Sequence, residues 1–334
     1  MQKRTVAEKT MKKARIVVVG SSNTDMVVKS RRIPAPGETV VGGEFLVAAG
    51  GKGANQAVAA ARLGAEVQFI SRVGADAFGD QAIAGYRRDG INTELIVRDP
   101  DNATGVALIL IDEAGENAIS VASGANHAMS LEDIDRAATA IRGAGVLVMQ
   151  LELPLSIVAR AAEIAAQAGV PVILDPAPAP EEPLPAALLR NITCIKPNVA
   201  EAEGLTGIQV ADECAAREAA SALLRMGPSC AIITMGADGA LLADESGVVL
   251  VPATPVAALD TTAAGDAFSG ALAFGWGAGL QRAEAVRMAA SAGAFAATRM
   301  GAQPSLPSGS ELEAFCLETG TQWQLGTSTS LRER

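Results

Sequence analysis

Histidine is almost absent: one residue, His127, in 334. That count excludes any mechanism or metal site needing two imidazoles, and leaves chemistry to Asp, Glu, Lys, backbone amides or a bound ion. Aromatics are scarce, with seven Phe, two Trp and one Tyr, so the core must be built from Ala, Val, Leu and Ile, whose small side chains allow close helix–sheet packing. The four cysteines (Cys194, Cys214, Cys230, Cys316) form no Cys-x-x-Cys pair; such sparse thiols predict a reduced, cytoplasmic protein. No apolar run approaches the roughly 18–20 residues that cross a bilayer, so no membrane partner is expected. The basic start (Lys3, Arg4, Lys9, Lys12, Lys13) leads into the stretch Ile16–Val19, which is too short for a signal-peptide core and reads as a first strand. Excess positive charge is lacking as well: 27 basic against 37 acidic residues give −10, unsuited to a nucleic-acid binder.

What is present is a chain 49% apolar and 19% charged, ample for a buried core, and its length suits one large α/β domain, with or without a small appendage, or two ordinary domains. Short apolar runs (Ile16–Val19, Val67–Ile70, Val146–Gln150, Val172–Leu174, Cys194–Lys196, Ala231–Thr234, Ala240–Leu242) alternate with Ala-rich stretches of helical period. The helices are expected near 52–63, 76–89, 131–142, 155–168, 212–226, 265–279 and 282–299, with Gly64, Gly90, Gly169 and Gly227 ending four of them and Ser130 with Asp133 capping one. This alternation predicts an α/β fold with a mainly parallel sheet covered by helices on both faces. Residues 25–48 and 104–123 break the rhythm and read as hairpins, including a strand at Thr39–Val41; they form either a small β-sheet lid or extra edge strands. The domain is expected over 13–316, with 1–12 and 318–334 as flexible tails.

Asp260-Thr-Thr-Ala-Ala-Gly-Asp266 is a small-residue turn entering a helix. Its unpaired amides and helix dipole suit an anion, and Asp266 could take a proton from a nearby hydroxyl or simply favour the helix start. Gly50-Gly-Lys-Gly-Ala-Asn-Gln-Ala57 lacks the Ser/Thr of a Walker loop and the third glycine of a dinucleotide fingerprint, which disfavours a dehydrogenase. It remains either a plain turn or a loop presenting amides, Lys52 and Asn55 to a polar ligand. Asn23 and Asp25 follow the first strand, either as an Asx turn or as a grip on sugar hydroxyls, and Glu152 shares that rim. Asn198 with Glu201 reads as a simple N-cap or as an organiser of hydrated Mg²⁺. Thr234 to Gly239 is a strand and glycine turn that a hairpin explains equally well, and His127, in a Gly-Ala-Asn-His loop, reads as a surface residue or one behind a site rather than a catalytic one.

The order and spacing of these motifs, together with Gly20-Ser-Ser-Asn-Thr-Asp25, Pro36-Gly-Glu-Thr, Thr104-Gly-Val-Ala, Gly124-Ala-Asn126, Gln150-Leu-Glu152, Asp175-Pro-Ala-Pro-Ala, Leu205-Thr-Gly and Gly301-Ala-Gln-Pro-Ser305, resemble the phosphofructokinase-B family of sugar kinases, in particular its ribose-phosphorylating branch, over residues 15–316. The resemblance implies a Rossmann-like α/β domain with a small β-sheet lid made by the two hairpin segments, ATP-dependent phosphorylation of D-ribose at the 5-hydroxyl, and lids that clasp in a homodimer. It implies that Asn23, Asp25, Gly51, Lys52, Asn55 and Glu152 hold the sugar, with Asp266 as general base and the amides of Ala263, Ala264, Gly265 and Asp266 as anion hole. Asn198, Thr234, Gly236, Gly239 and Gly265 would contact ATP, and Glu201 would arrange Mg²⁺. Asp260 and Ser305, with carbonyls of Thr262, Ala296, Arg299 and Gly301, would bind K⁺. Two positions depart from the family: Val199 stands where Glu is common, and Asp175 where Asn is common. A kinase for deoxyribose or another sugar, and a non-catalytic sugar-responsive protein of the same fold, are the alternatives.

Overall fold

The computed structural model describes residues 13–321. Nine strands form the main sheet and four a separate small one. In chain order the strands are β1 (Arg15–Val19), β2 (Asn23–Lys29), β3 (Glu44–Gly50), β4 (Glu66–Gly74), β5 (Ile96–Asp99), β6 (Gly105–Ile111), β7 (Asn117–Ala122), β8 (Val146–Met149), β9 (Val172–Leu174), β10 (Cys194–Ile195), β11 (Cys230–Thr234), β12 (Ala240–Asp244) and β13 (Gly247–Val251). The large sheet runs β13-β12-β11-β10-β9-β8-β1-β4-β5, parallel from β11 to β5, with β12 and β13 added antiparallel at one edge. The expected α/β architecture is therefore present. Period-two alternation splits its core: Ile16 and Val18 pack with Phe69 and the helices Lys52–Arg62, Ala264–Gly277 and Arg282–Ala297, while Val17 and Val19 pack with Leu147 and the helices Leu155–Gln167 and Glu213–Arg225 on the other face.

The two hairpins form the second sheet, in the order β3-β2-β6-β7, joined through a parallel β2–β6 pairing. Its bounds differ from the expected ones. β2 begins at Asn23, so Asn23 and Asp25 are strand residues rather than an Asx turn, and β3 extends to Gly50. Thr39–Val41 forms no strand, because the Pro34–Gly37 turn and Gly42-Gly43 leave it without a neighbouring ladder. The stretch 131–142 is two short helices meeting at Ala137, and a final helix, Gly309–Thr319, runs two residues into the expected tail. Residues 1–12 and 322–334 of the expected tails lie outside the described residues. Gly64, Gly90, Gly169 and Gly227 all take positive φ just past helix ends, and Ser130 and Asp133 make a reciprocal capping box, as the sequence predicts. No described helix is long and apolar enough to cross a membrane, and no disulfide joins the four cysteines.

Small side chains position the site. A Cβ on Gly270 would lie 2.5 Å from the Ala59 Cβ, so helices Lys52–Arg62 and Ala264–Gly277 touch nearly backbone to backbone. That closeness lets amides on the first helix reach a carboxylate on the second.

Candidate active site

Asp266 lies in the first turn of helix Ala264–Gly277 and is 6% exposed. Asn55 donates Nδ2–H to its Oδ2 (2.9 Å), and Gln56 donates Nε2–H to its Oδ1 (3.0 Å). Burial pushes its pKa up to about 6; Lys52 and the two amide donors pull against that, while Asp175 adds to it. Ahead of it, Ala263 caps the helix at φ 59°, the one non-glycine residue with positive φ among those described. That conformation costs about 1 kcal/mol or more for a residue with a Cβ and turns the chain sharply into the helix. Among the expected anion-hole amides, that of Ala264 bonds the Thr261 carbonyl; those of Gly265 and Asp266 sit at the helix start, where no preceding turn supplies acceptors.

The polar rim converges on the same point. Asp25 on β2 is pushed up to about 6, chiefly by burial, then by Glu152 and Asp266. Glu152, in the turn after β8, accepts the Lys52 amide (2.9 Å) and the Ser21 hydroxyl. Burial works against the Lys52 ammonium, yet the carboxylates of Asp266, Asp175, Glu152 and Glu201 hold its pKa above the ordinary value. Asn126 donates to the Asn23 side-chain oxygen (2.7 Å) and to the Ser22 carbonyl, fixing the start of β2. Gly51 takes φ 89°, and a Cβ there would lie 2.7 Å from the Asn23 nitrogen; only glycine fits this crossing. Asn55 Oδ1 is buried without a partner, an acceptor waiting for a donor such as a ligand hydroxyl.

On the other side of Gly265 opens a cavity of about 650 Å³. All five residues expected to touch nucleotide, Asn198, Thr234, Gly236, Gly239 and Gly265, line it, with an apolar wall that includes Val256 and Ala294. The turn Gly236–Asp238 also links the antiparallel pair β11–β12, so the hairpin reading and the cavity-lining position coexist. Asn198 and Glu201 form a full capping box: the Asn198 amide donates to Glu201 Oε2 (2.8 Å) and the Glu201 amide to Asn198 Oδ1 (2.9 Å). The simple N-cap reading is therefore realised. Glu201 is nonetheless buried, which raises its pKa, with the Asn198 amide opposing.

The expected K⁺ group is drawn from two loops tied together. Asp260 accepts the Thr262 amide (2.9 Å) and the Gly301 amide (2.8 Å), and the amides of Leu259 and Asp260 both reach the Ala297 carbonyl. Burial raises the Asp260 pKa, but hydrogen bonds from Thr262 and Gly301 prevail and leave it below the ordinary value. Ser305 is fully buried and donates to the Ala302 carbonyl (2.7 Å). The donors named for this group, a carboxylate, a hydroxyl and main-chain carbonyls, are hard oxygen atoms of the kind that suits a monovalent cation. Among the described residues no three carboxylate, thiol or imidazole groups cluster to hold a metal by themselves, so Mg²⁺ would take most of its ligands from phosphate oxygens and water.

Three residues given no role in the sequence reading belong to this centre: Gln56, Asp175 and Lys196. The rule that placed Glu152 was available for two of them, since Asp175 directly follows β9 and Lys196 directly follows β10. Gln56 offered no such signal, because its importance comes from a helix–helix contact. His127 is exposed, as expected.

The chain matches the family described as pfkB family carbohydrate kinase over residues 13–309. It is 42% identical over 300 residues to the ribokinase of Haemophilus influenzae, covering 90% of this chain and 97% of that protein. It is 39% identical over 293 residues to the deoxyribokinase of Salmonella typhi, covering 88% and 95%. In structure it is similar to Arabidopsis thaliana ribokinase complexed with ribose and ATP, with TM-score 0.84 and 32% identity over 91% of this chain and 99% of that one. A family match spanning nearly the whole described chain, on a fold and site of this kind, makes the protein a member of the pfkB family of carbohydrate kinases.

Proposed function

We propose that the protein transfers the γ-phosphoryl group of ATP to the 5-hydroxyl of D-ribose, with Asp266 as general base. The observation that carries this reading is the position of one buried carboxylate at a helix start, between a polar rim and a large cavity. Asn23, Asp25, Gly51, Lys52, Asn55 and Glu152 grip the sugar hydroxyls. Asp266 takes the proton as the hydroxyl oxygen bonds the γ-phosphorus, and the bond from that phosphorus to the β,γ-bridging oxygen breaks to release ADP. The amides of Gly265 and Asp266, with the helix dipole, receive the negative charge spread over the transferring group. Asn198, Thr234, Gly236 and Gly239 seat the nucleotide. Mg²⁺, arranged through Glu201, would neutralise phosphate charge, and K⁺, held by Asp260, Ser305 and the carbonyls of Thr262, Ala296, Arg299 and Gly301, would fix the loop and polarise its amides.

The small sheet acts as a lid that covers the sugar and keeps water from the γ-phosphate. Its face opposite to Asp25 exposes Phe45 and Leu108, an apolar surface that supports a homodimer joined lid to lid. Thiols without disulfides support the cytoplasm as its compartment. Similarity to a deoxyribokinase favours a second reading in which deoxyribose is the better acceptor. The base assignment is tested with Asp266→Asn: kcat should fall by about a thousandfold or more while calorimetry still detects sugar binding. Turnover within tenfold of the unaltered protein refutes the assignment.

A further inference from the structure

Behind Asp266 lies a second buried carboxylate that the reaction does not itself require. Asp175 is 3% exposed, and its Oδ2 receives the Lys196 ammonium (3.2 Å), the Ser269 hydroxyl (3.0 Å) and Gln56 Nε2–H (2.9 Å). The same Gln56 nitrogen gives its other hydrogen to Asp266 Oδ1 (3.0 Å). Gln56 cannot be turned round, because Gln150 Nε2–H donates to its Oε1 at 2.6 Å, and a reversed amide would set that oxygen against two carboxylates. Lys196 is 2% exposed, with its nitrogen 5.8 Å from the centre of the Phe268 ring. Charge, orientation and burial are thus all specified in one chain: Lys196, Asp175, Gln56, Asp266.

We propose that Asp175, paired with Lys196, is a positioning residue for Asp266 and acts on it through the amide of Gln56. The inference rests on Asp266 being the base. The amide donates to both carboxylates, favours the ionised form of Asp266 and holds that side chain in a single orientation, leaving its remaining lone pairs to meet a hydroxyl. The negative charge of Asp175 acts the other way on proton affinity, raising that of Asp266, and Lys196 moderates it. The other charged groups facing Asp266 are Lys52 at the start of helix Lys52–Arg62 and Asp25 on β2, with Glu152 and Glu201 beyond Lys52. The proton affinity of the base is therefore set by a balance in which positions 175 and 196 carry opposite signs.

Opposite signs give a test that a merely structural role cannot imitate. The pH dependence of kcat/KM for ATP-driven sugar phosphorylation is measured for the unaltered enzyme, Asp175→Asn and Lys196→Met, each checked for folding by circular dichroism. Asp175→Asn removes a negative charge and should move the acid limb down by about half to one pH unit. Lys196→Met leaves Asp175 uncompensated and should move it up by a similar amount. Gln56→Met should lower kcat about tenfold or more while the sugar KM stays within about twofold. Limbs that stay in place, or that move in the same direction in both charge variants, overturn the proposal. Should Asp175→Asn fail to fold, the direction of the Lys196→Met shift decides alone. An inactive Asp266→Asn with unmoved limbs defeats only this inference, whereas an active Asp266→Asn defeats the base assignment beneath it.

Discussion

Gly50 offers a perturbation that separates ligand binding from folding. It closes β3 opposite Asn23, and a Cβ placed on it would stand 2.2 Å from both carboxylate oxygens of Asp25. Ordinary contact needs about 3.5 Å, so in Gly50→Ala the carboxylate must swing away by about 1.3 Å. The obstructing atoms are the end of a side chain rather than backbone, so the fold can absorb the change. The sugar site cannot: a hydrogen bond to a charged group contributes about 1.5–3 kcal/mol, equivalent to roughly 10- to 100-fold in affinity. Steady-state kinetics should show the ribose KM raised by that factor, with the ATP KM and the melting temperature nearly unchanged. Gly53→Ala is the contrasting control. There the Cβ would meet the backbone of Gly20 and Ser21 at 2.6 Å, and overpacking against main chain should cost about 1–3 kcal/mol, seen as a melting temperature lower by several degrees. A ribose KM unchanged in Gly50→Ala would refute the placement of Asp25 against the sugar.

Other outcomes follow from the same geometry. Asp25 and Asp266 both have pKa values raised to about 6, so they gain protons on acidification at a pH where an ordinary carboxylate, near 4, is still charged. A protonated base accepts nothing, and kcat/KM should therefore decline below about pH 6 rather than below pH 4; an acid limb centred near 4 contradicts this. Phosphorylation should slow sharply in buffer free of K⁺ and Na⁺, and Asp260→Ala should be slow in both conditions; a rate indifferent to monovalent cations counts against that site. Replacing Phe45 and Leu108 together by Asp should convert a dimer to a monomer in sedimentation, and an unchanged mass shows that the lid face is not the contact.

Much of this molecule was legible in its residues because it depends on local rules. The cap glycines at 64, 90, 169 and 227, the Ser130 capping box and the two hairpins all follow from short-range turn chemistry. Asn23, Glu152 and Asp266 were placed by their positions at strand and helix ends. Elements set by long-range pairing were less visible. β5 is only four residues, Ile-Val-Arg-Asp, with no apolar run, and exists because β4 extends past β1 and offers it an edge. β13, Gly-Val-Val-Leu-Val after a Glu245-Ser246 turn, is a short apolar run whose place at the sheet edge is set by antiparallel pairing with β12. The parallel β2–β6 pairing that merges two hairpins into one small sheet has no local signature. The Lys196–Asp175–Gln56 chain lay hidden for the same reason: its members are scattered from 56 to 196 and meet because β9 and β10 lie side by side and the helix that carries Gln56 packs against the ends of those strands. Ala263 stands apart, since nothing in an alanine announces a left-handed turn.

Acceptance of phosphate by the sugar is the most direct test. Purified protein is incubated with ATP and Mg²⁺ against ribose, deoxyribose, other pentoses, hexoses and nucleosides, and phosphorus NMR with carbon coupling locates the new ester. The account predicts ADP formation stoichiometric with a ribose phosphate esterified at the carbon-5 oxygen, and none without sugar. ADP formed equally in the absence of any acceptor, or an ester at another carbon of ribose, contradicts it.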